Sequence, residues 1–242
     1  MERLVYDRMR ALEGEHWWFA GRRAILSRLI GALPLRPGAR LLEVGCGVGG
    51  NIEMLRAFGQ VEAMEPDAPS RDYVRRQLGV TPADGRLPDA LPYAGRSFDG
   101  VFALDVVEHV GDDRASLAAL GELVAPGGFL FVTVPAYRWM WSRHDELHHH
   151  HRRYTRREIE ALMAQTGLQP VRASYFNTLL FPLAAAVRLA KRVLRVESED
   201  DRMPGRGLNG LLRRLFSLEA HWLRRAGLPF GLSIVAIATR PA

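Results

Sequence analysis

The chain has 242 residues, with 33 Lys and Arg against 27 Asp and Glu (net +6), 48% hydrophobic and 25% charged residues. That is globular composition, which excludes a disordered or fibrous chain, and the length suits one medium domain or one domain with an insertion. A lone cysteine, Cys46, excludes a disulfide framework and fits a cytoplasmic setting; residues 1–30 carry no pattern of a secretion signal, and no apolar run reaches the roughly 18 to 20 residues of a membrane span.

Residues 40–44 read as a short buried strand, followed by a glycine turn (Gly45, Cys46, Gly47, Val48, Gly49, Gly50) and a helix over 51–58. A second strand over 61–64 closes at Glu65-Pro66-Asp67, and a helix with Pro69 in its first turn runs to residue 78. A third short strand is expected near Val80. Residues 98–104 form a further strand, and Asp112 and Asp113 cap a helix reaching residue 124. Ala125-Pro126-Gly127-Gly128 then precedes a strand over 129–134. This rhythm predicts an α/β fold, a mostly parallel sheet with helices on both faces.

A polar, aromatic and His-rich loop spans 135–154. Thr155 and Glu158 form a capping-box pattern for a helix to Gln165, ended by Gly167, with a strand over 168–175 behind it. Residues 176–229 are helical in pattern, with a polar break at 197–207, and 233–239 make a closing strand. The expected organisation is an N-terminal helical segment (1–36), a core (37–175), a helical insertion (176–229) and a closing strand of the core (230–242).

Gly45, Gly47 and Gly50 match G-x-G-x-x-G, a weak signal alone. Its setting between a strand and a helix strengthens it. Glu65, 20 residues after Gly45 at the end of the next strand, is placed to accept hydrogen bonds from ribose hydroxyls, as in dinucleotide sites. Glu43 discriminates. A carboxylate two residues before the first glycine repels a pyrophosphate and suits a cationic ligand.

Glu43 to Gly49 resembles the first motif of the class I S-adenosylmethionine-dependent methyltransferases. Glu65, Asp84-Gly85, Ser97-Phe98-Asp99, Leu104 to Val110 and Leu123 to Gly128 continue the resemblance in the family's order over about residues 38–135. The branch is similar to the methyltransferases of ubiquinone and menaquinone synthesis. The resemblance implies a Rossmann-like, seven-stranded sheet with the last strand antiparallel. It also implies that S-adenosyl-L-methionine, leaving as S-adenosyl-L-homocysteine, is held by Glu43, Gly45, Cys46, Gly47, Glu65, Pro66, Asp84, Gly85 and Asp105. Asp84 would face the adenine amine, and Asp105 the methionine part. The N-terminal segment, with His16-Trp17-Trp18-Phe19 and then Arg22 and Arg23, would close over the cofactor as a lid, or else anchor to the sheet through its aromatics.

Methyl transfer from a sulfonium needs positioning, and a base only where the acceptor must lose a proton. His109, His144 and His148 are the candidates for acid–base or substrate-orienting work, with His144 and Asp145 as one pairing; a metal bound through several of the histidines and a loop packed by its own histidines are the alternatives. The His-rich loop gives no firm metal-ligand spacing, and no metal is assigned.

Charge is uneven. Residues 1–137 carry 15 bases and 18 acids, residues 138–242 carry 18 bases and 9 acids, and Lys191 is the one lysine. The insertion pairs apolar runs (Leu179, Leu180, Phe181, Leu183, Val187; then Leu208, Leu211, Leu212, Leu215, Leu218, Trp222) with Arg188, Lys191, Arg192, Arg195, Arg213, Arg214, Arg224 and Arg225. Contact with an anionic membrane surface, packing on the core and a homodimer interface all fit this pattern. Nucleic acid fits less well, because the arginines sit among Leu and Phe and not among exposed stacking aromatics. The expected activity is methylation of a hydroxyl or carbon on a small molecule: a lipid, a quinone precursor or a lipid-linked sugar. It would act in the cytoplasm or at the inner face of the membrane, as a monomer or homodimer. The competing readings are a non-catalytic scaffold of the same fold, a nucleic-acid methyltransferase and an NAD-dependent oxidoreductase.

Overall fold

A computed structural model describes residues 3–194 and 203–242. Two helices, α1 (Arg3–Leu12) and α2 (Trp17–Ile30), lead into β1 (Arg40–Val44), α3 (Ile52–Arg56), β2 (Gln60–Met64) and α4 (Ala68–Leu78). Next come β3 (Phe98–Leu104), α5 (Asp113–Glu122), β4 (Val124–Pro135), α6 (Arg143–Leu147), α7 (Arg156–Ala164) and β5 (Gln169–Phe176). The helices α8 (Phe181–Leu194) and α9 (Arg206–Leu223) precede the closing β6 (Ser233–Thr239).

The strands lie in the order β2-β1-β3-β4-β6-β5. The pairs among β2, β1, β3 and β4 are parallel, and β6 runs antiparallel to both its neighbours. Successive side chains on a strand point to opposite faces. Leu41, Phe102, Phe131 and Val235 accordingly pack with Ile25, Leu26 and Leu29 of α2 and Phe216 and Leu223 of α9. Leu42, Val101, Leu130 and Ala236 pack on the other face with Leu117 and Leu120 of α5 and Ile159 and Met163 of α7. Both faces are covered, so the strands read as continuous apolar runs.

Among the described residues the sheet has six strands where seven were expected. The missing one is the segment near Val80, which shrinks to a single parallel bridge between Met64 and Ala83. Pro82 and Gly85 flank that one paired residue, and both residue types are poor at continuing a ladder. Capping follows the sequence closely. Asp67 accepts from Ser70 N–H, Asp112 from Ala115 N–H, and Thr155 and Glu158 form the reciprocal capping box. The loop over 135–154 is more structured than expected, because Ser142 and Asp145 form a second capping box that starts α6.

Of the three readings for the insertion, core packing holds for α9, whose Phe216, Glu219, Ala220 and Leu223 are buried. It fails for α8, which has no buried residue. Of the expected polar break at 197–207, residues 197–202 lie outside the described residues, and Arg206 and Gly207 already belong to α9. Among the described residues no helix is long and apolar enough to cross a membrane.

Candidate functional site

The carboxyl ends of β1, β2, β3 and β4 open onto one end of the sheet, where chain order reverses between β1 and β3. The glycine loop starts there. Gly45 and Gly47 have φ of +66° and +56°, a region that L side chains rarely adopt. A Cβ on Gly45 would also stand 2.8 Å from Val106.

Glu65 ends β2 beneath this loop and is buried. Its Oε2 accepts from Gly47 N–H (2.8 Å) and its Oε1 from Asp67 N–H (3.0 Å) and from the Tyr6 hydroxyl (3.2 Å). Burial pushes its pKa up, against the pull of these bonds. Glu43 is buried as well. Asn51 Nδ2 donates to its Oε1 at 2.9 Å, whereas its Oε2 has no partner. Burial, opposed by the Asn51 bond and assisted by the neighbouring Glu13, pushes Glu43 up to about 7. Glu13 is likewise pushed up to about 7 by burial, against Arg23 and Arg22. Three carboxylates thus face one crevice with less positive charge than they need.

The neighbouring cation is Arg22 on α2, a residue that sequence reasoning noted only as part of the N-terminal segment. It is buried, pairs with Asp105 Oδ2 at 2.7 Å, and donates to Thr133 Oγ1 (2.9 Å) and Asn51 Oδ1 (3.3 Å), while its Nε has no partner. Thr133 Oγ1 donates in turn to Asp105 Oδ1 at 3.1 Å. Asp105 sits at φ +60°, a strained conformation for a non-glycine residue, held in place by these bonds. Cys46 is buried, and burial raises its thiol pKa, so it lines the loop as an inert apolar group. Pro66 follows Glu65, and its carbonyl accepts from Arg71 at 2.8 Å. Asp84 at the far rim makes a bidentate pair with Arg71 (3.1 Å for both bonds) and is otherwise exposed. A Cβ on Gly85 would collide with Met64 and Pro92, so the chain there needs glycine.

The N-terminal segment meets this crevice through α1. Tyr6 reaches Glu65, the Met9 methyl lies 3.5 Å from a Cβ built on Gly47, and the Glu13 carboxylate lies against Gly50. These three residues recur on one helical face. The aromatic run behaves differently. His16 caps α2 by accepting from Trp18 N–H, and Trp17 packs edge-on against Phe216. It anchors the segment to α9.

Beyond β4 the structure gathers the three candidate histidines into one cluster. His109 lies 4.6 Å from His150 between ring centres, His144 stacks on His148 at 4.0 Å, and His150 lies within 6 Å of both. The expected pairing of His144 with Asp145 is replaced. Asp145 takes His150 Nδ1 at 2.8 Å and a bidentate Arg153 at 2.7 and 3.0 Å. Burial would raise the Asp145 pKa, but His150 and Arg153 hold it well below the usual carboxylate range. Burial, helped by His150 and His148, lowers His109 to about 3. His150 was missed by the sequence reading, since four adjacent histidines give no sign of which one turns inward. Glu108, His109 and His150 each offer one ligand atom, all within 4.8 Å of one another, and Glu108 Oε2 is buried without a partner. Such a carboxylate–imidazole set can hold a divalent cation.

This sheet, glycine loop and ring of carboxylates define a Rossmann-like methyltransferase. Residues 16–173 match the methyltransferase domain family, and the chain belongs to it, as a class I S-adenosylmethionine-dependent methyltransferase of the small-molecule branch. It is 30% identical over 207 residues to the malonyl-[acyl-carrier protein] O-methyltransferase of Enterobacter lignolyticus, covering 82% of this chain and 80% of that one. It is 30% identical over 153 residues to the ubiquinone biosynthesis O-methyltransferase of Brucella anthropi, covering 54% of this chain and 60% of that one. Its fold is similar to that of Haemonchus contortus phosphoethanolamine N-methyltransferase 2 in complex with S-adenosyl-L-methionine (TM-score 0.59, 17% identity, 90% of this chain and 52% of that one). It also resembles the [4+2]-cyclase SpnF (TM-score 0.56, 20% identity, 90% and 82%), a reminder that the fold alone does not choose the reaction.

Proposed function

We propose that the protein transfers a methyl group from S-adenosyl-L-methionine to a hydroxyl or carbon of a small, lipid-linked acceptor such as a quinone precursor. The observation that carries the reading is the Glu65 carboxylate, buried at the end of β2 and bonded to Gly47 N–H at 2.8 Å. Its Oε1, which now accepts from Tyr6, is the acceptor for ribose hydroxyls once Tyr6 yields. The crevice suits this cofactor and disfavours a pyrophosphate. The unpartnered Glu43 Oε2 calls for a positive group, and the unpartnered Arg22 Nε for a carboxylate. Asp105 and Glu43 would hold the ammonium, Arg22 the methionine carboxylate, and Asp84 with Gly85 the adenine edge. Cys46 and Pro66 would line the walls, and the 1–36 segment would cover them through α1 as a lid on the 37–175 core.

When bound, the cofactor supplies a methyl group already activated as a sulfonium, so the chain needs only to align the acceptor and, for a hydroxyl, accept its proton. A histidine as weakly basic as His109 is a poor proton acceptor. It orients, and His144 and His148 are left to take the proton. Calorimetry with S-adenosyl-L-methionine and with NAD tests the cofactor; tight NAD binding without response to the methyl donor would overturn it. Incubation with a labelled methyl donor followed by separation of lipid, sugar and nucleic-acid fractions tests the acceptor, with label expected in the lipid fraction. Label confined to nucleic acid or to water-soluble compounds would remove the lipid-linked acceptor.

A further inference from the structure

A surface helix of a soluble domain turns its apolar stripe to the core and its charges to water. In α8 the arrangement is reversed. Leu183, Leu189, Val193 and Leu194 are 62%, 61%, 73% and 70% exposed, and Val187 is exposed too. With Ala186 and Ala190 they fill one continuous arc at 100° per residue. The basic residues Arg188, Lys191 and Arg192 fill the opposite arc, and there Arg188 donates to the Met140 carbonyl and Arg192 to the Trp139 carbonyl (3.1 Å). The helix is fastened to the body by its polar side and presents oil to the outside.

We propose that α8 is an interfacial helix that seats the protein on an anionic lipid surface. Three observations select lipid as the occupant. The two helices α8 and α9 carry six bases against one acid, Glu219, which is buried, and residues 181–225 as a whole carry ten bases against five acids. On α9 and just beyond it, Arg213, Arg214, Arg224 and Arg225 are exposed beside Leu211, Leu218 and Trp222, a second apolar stripe rimmed by guanidinium groups. At the root of α8, Trp139, Phe181 and Phe230 touch one another in turn (6.0 and 5.5 Å between ring centres), with Trp139 and Phe230 exposed. Such aromatics favour the boundary between headgroups and acyl chains. A second copy of the chain is a poorer occupant, because a two-fold contact on this face would bring the two basic clusters together. Among the described residues the helix is 14 residues long, too short to span a bilayer and long enough to lie in its surface.

The proposal gains its purpose from the lipid-linked acceptor reading, on which it rests, since α8 begins beside the Tyr137–Trp139 stack just after β4. The test is flotation of the full chain with vesicles of phosphatidylcholine containing phosphatidylglycerol, and with phosphatidylcholine alone, at low and high salt. Calorimetry with the methyl donor and light scattering on the same samples complete it. The expected result is binding to the anionic vesicles that weakens with salt, and a bound fraction at least about tenfold lower for Leu183→Glu/Val187→Glu with methyl-donor affinity unchanged. Arg213→Glu/Arg214→Glu, which leaves the apolar arc intact, is expected to lose anionic binding as well. Failure of the unmodified chain to float while it still binds the methyl donor would overturn the proposal. A dimer in solution that Leu183→Glu/Val187→Glu dissociates would also overturn it, assigning the face to a second copy. Flotation by a chain that binds no methyl donor would support the membrane contact and remove the enzyme reading instead.

Discussion

Asp145, in the histidine cluster, and Glu13, Glu43 and Glu65, at the glycine loop, stand at the same end of the sheet and differ in how their charge is met. Asp145 is closed off by the chain itself: Arg153 takes it bidentately and His150 takes a third bond. On the glycine-loop side Arg23 and Arg22 act on Glu13 and Arg22 on Glu43, but burial outweighs them, and Arg22 is already paired with Asp105; Glu65 is met by hydrogen bonds alone. The direction of the pKa shifts records the difference, down for Asp145 and up for the other three. A charge that the fold neutralises holds the fold together. A charge that the fold leaves short is a place for a ligand to complete.

The comparison breaks most visibly at Arg153. Its replacement by Ala strands a buried carboxylate, and the expected loss is about 3–5 kcal/mol of folding stability, read by urea denaturation. A loss below about 1 kcal/mol would show that Asp145 is not held by this pair. Asp145→Asn in the Arg153→Ala background should return part of the loss.

On the other side, Glu65→Ala should leave the fold standing and weaken S-adenosyl-L-methionine binding about a hundredfold in calorimetry, the equivalent of two hydrogen bonds to a charged group. Unchanged affinity would refute the assignment of Glu65 to the ribose.

The third prediction concerns pH. Glu43 has an ordinary value of 4.5 and a folded value of about 7, so between these the folded state binds the extra proton. Its contribution to stability is therefore fully present below 4.5 and is lost as pH rises through 7. Glu13 acts in the same sense. His109 and His150, whose pKa values burial lowers, act in the opposite sense, so the test is a difference: as pH rises from 5.5 to 7.5 the ligand-free Glu43→Gln variant should gain about 1–2 kcal/mol of stability relative to the unmodified chain. No change in that difference would mean that the crevice already neutralises Glu43. The smallest effect is expected from Tyr6→Phe. It removes the hydroxyl that now occupies Glu65 Oε1 and should tighten cofactor binding severalfold, about 0.5–1.5 kcal/mol. Weaker binding would instead make Tyr6 part of the closed site.

Legibility in the sequence followed locality. Asp112 and the Thr155–Glu158 box were readable because a cap joins residues three apart in the chain. Glu43 and Glu65 were readable because strand ends adjoin the glycine turn. The third strand was over-read, since its short β-like run near Val80 gave no measure of how Pro82 and Gly85 would limit pairing to Ala83. Arg22 stayed obscure because Thr133 and Asp105, which define its role, come from β4 and the loop after β3. His144 was matched to Asp145 by adjacency, yet the α6 turn carries Asp145 toward His150 and Arg153.

By itself the sequence determined the alternation of strands and helices, the glycine loop and the carboxylates at its rim, because periodicity, capping and turn chemistry act over a few residues. The tertiary structure alone decided which charges are paired and which are left wanting, and which of two similar basic, apolar helices turns inward. Those outcomes depend on burial and on partners far away in the chain. Packing against α2 buries one face of α9, while α8 meets the body through its arginines and keeps its leucines outside.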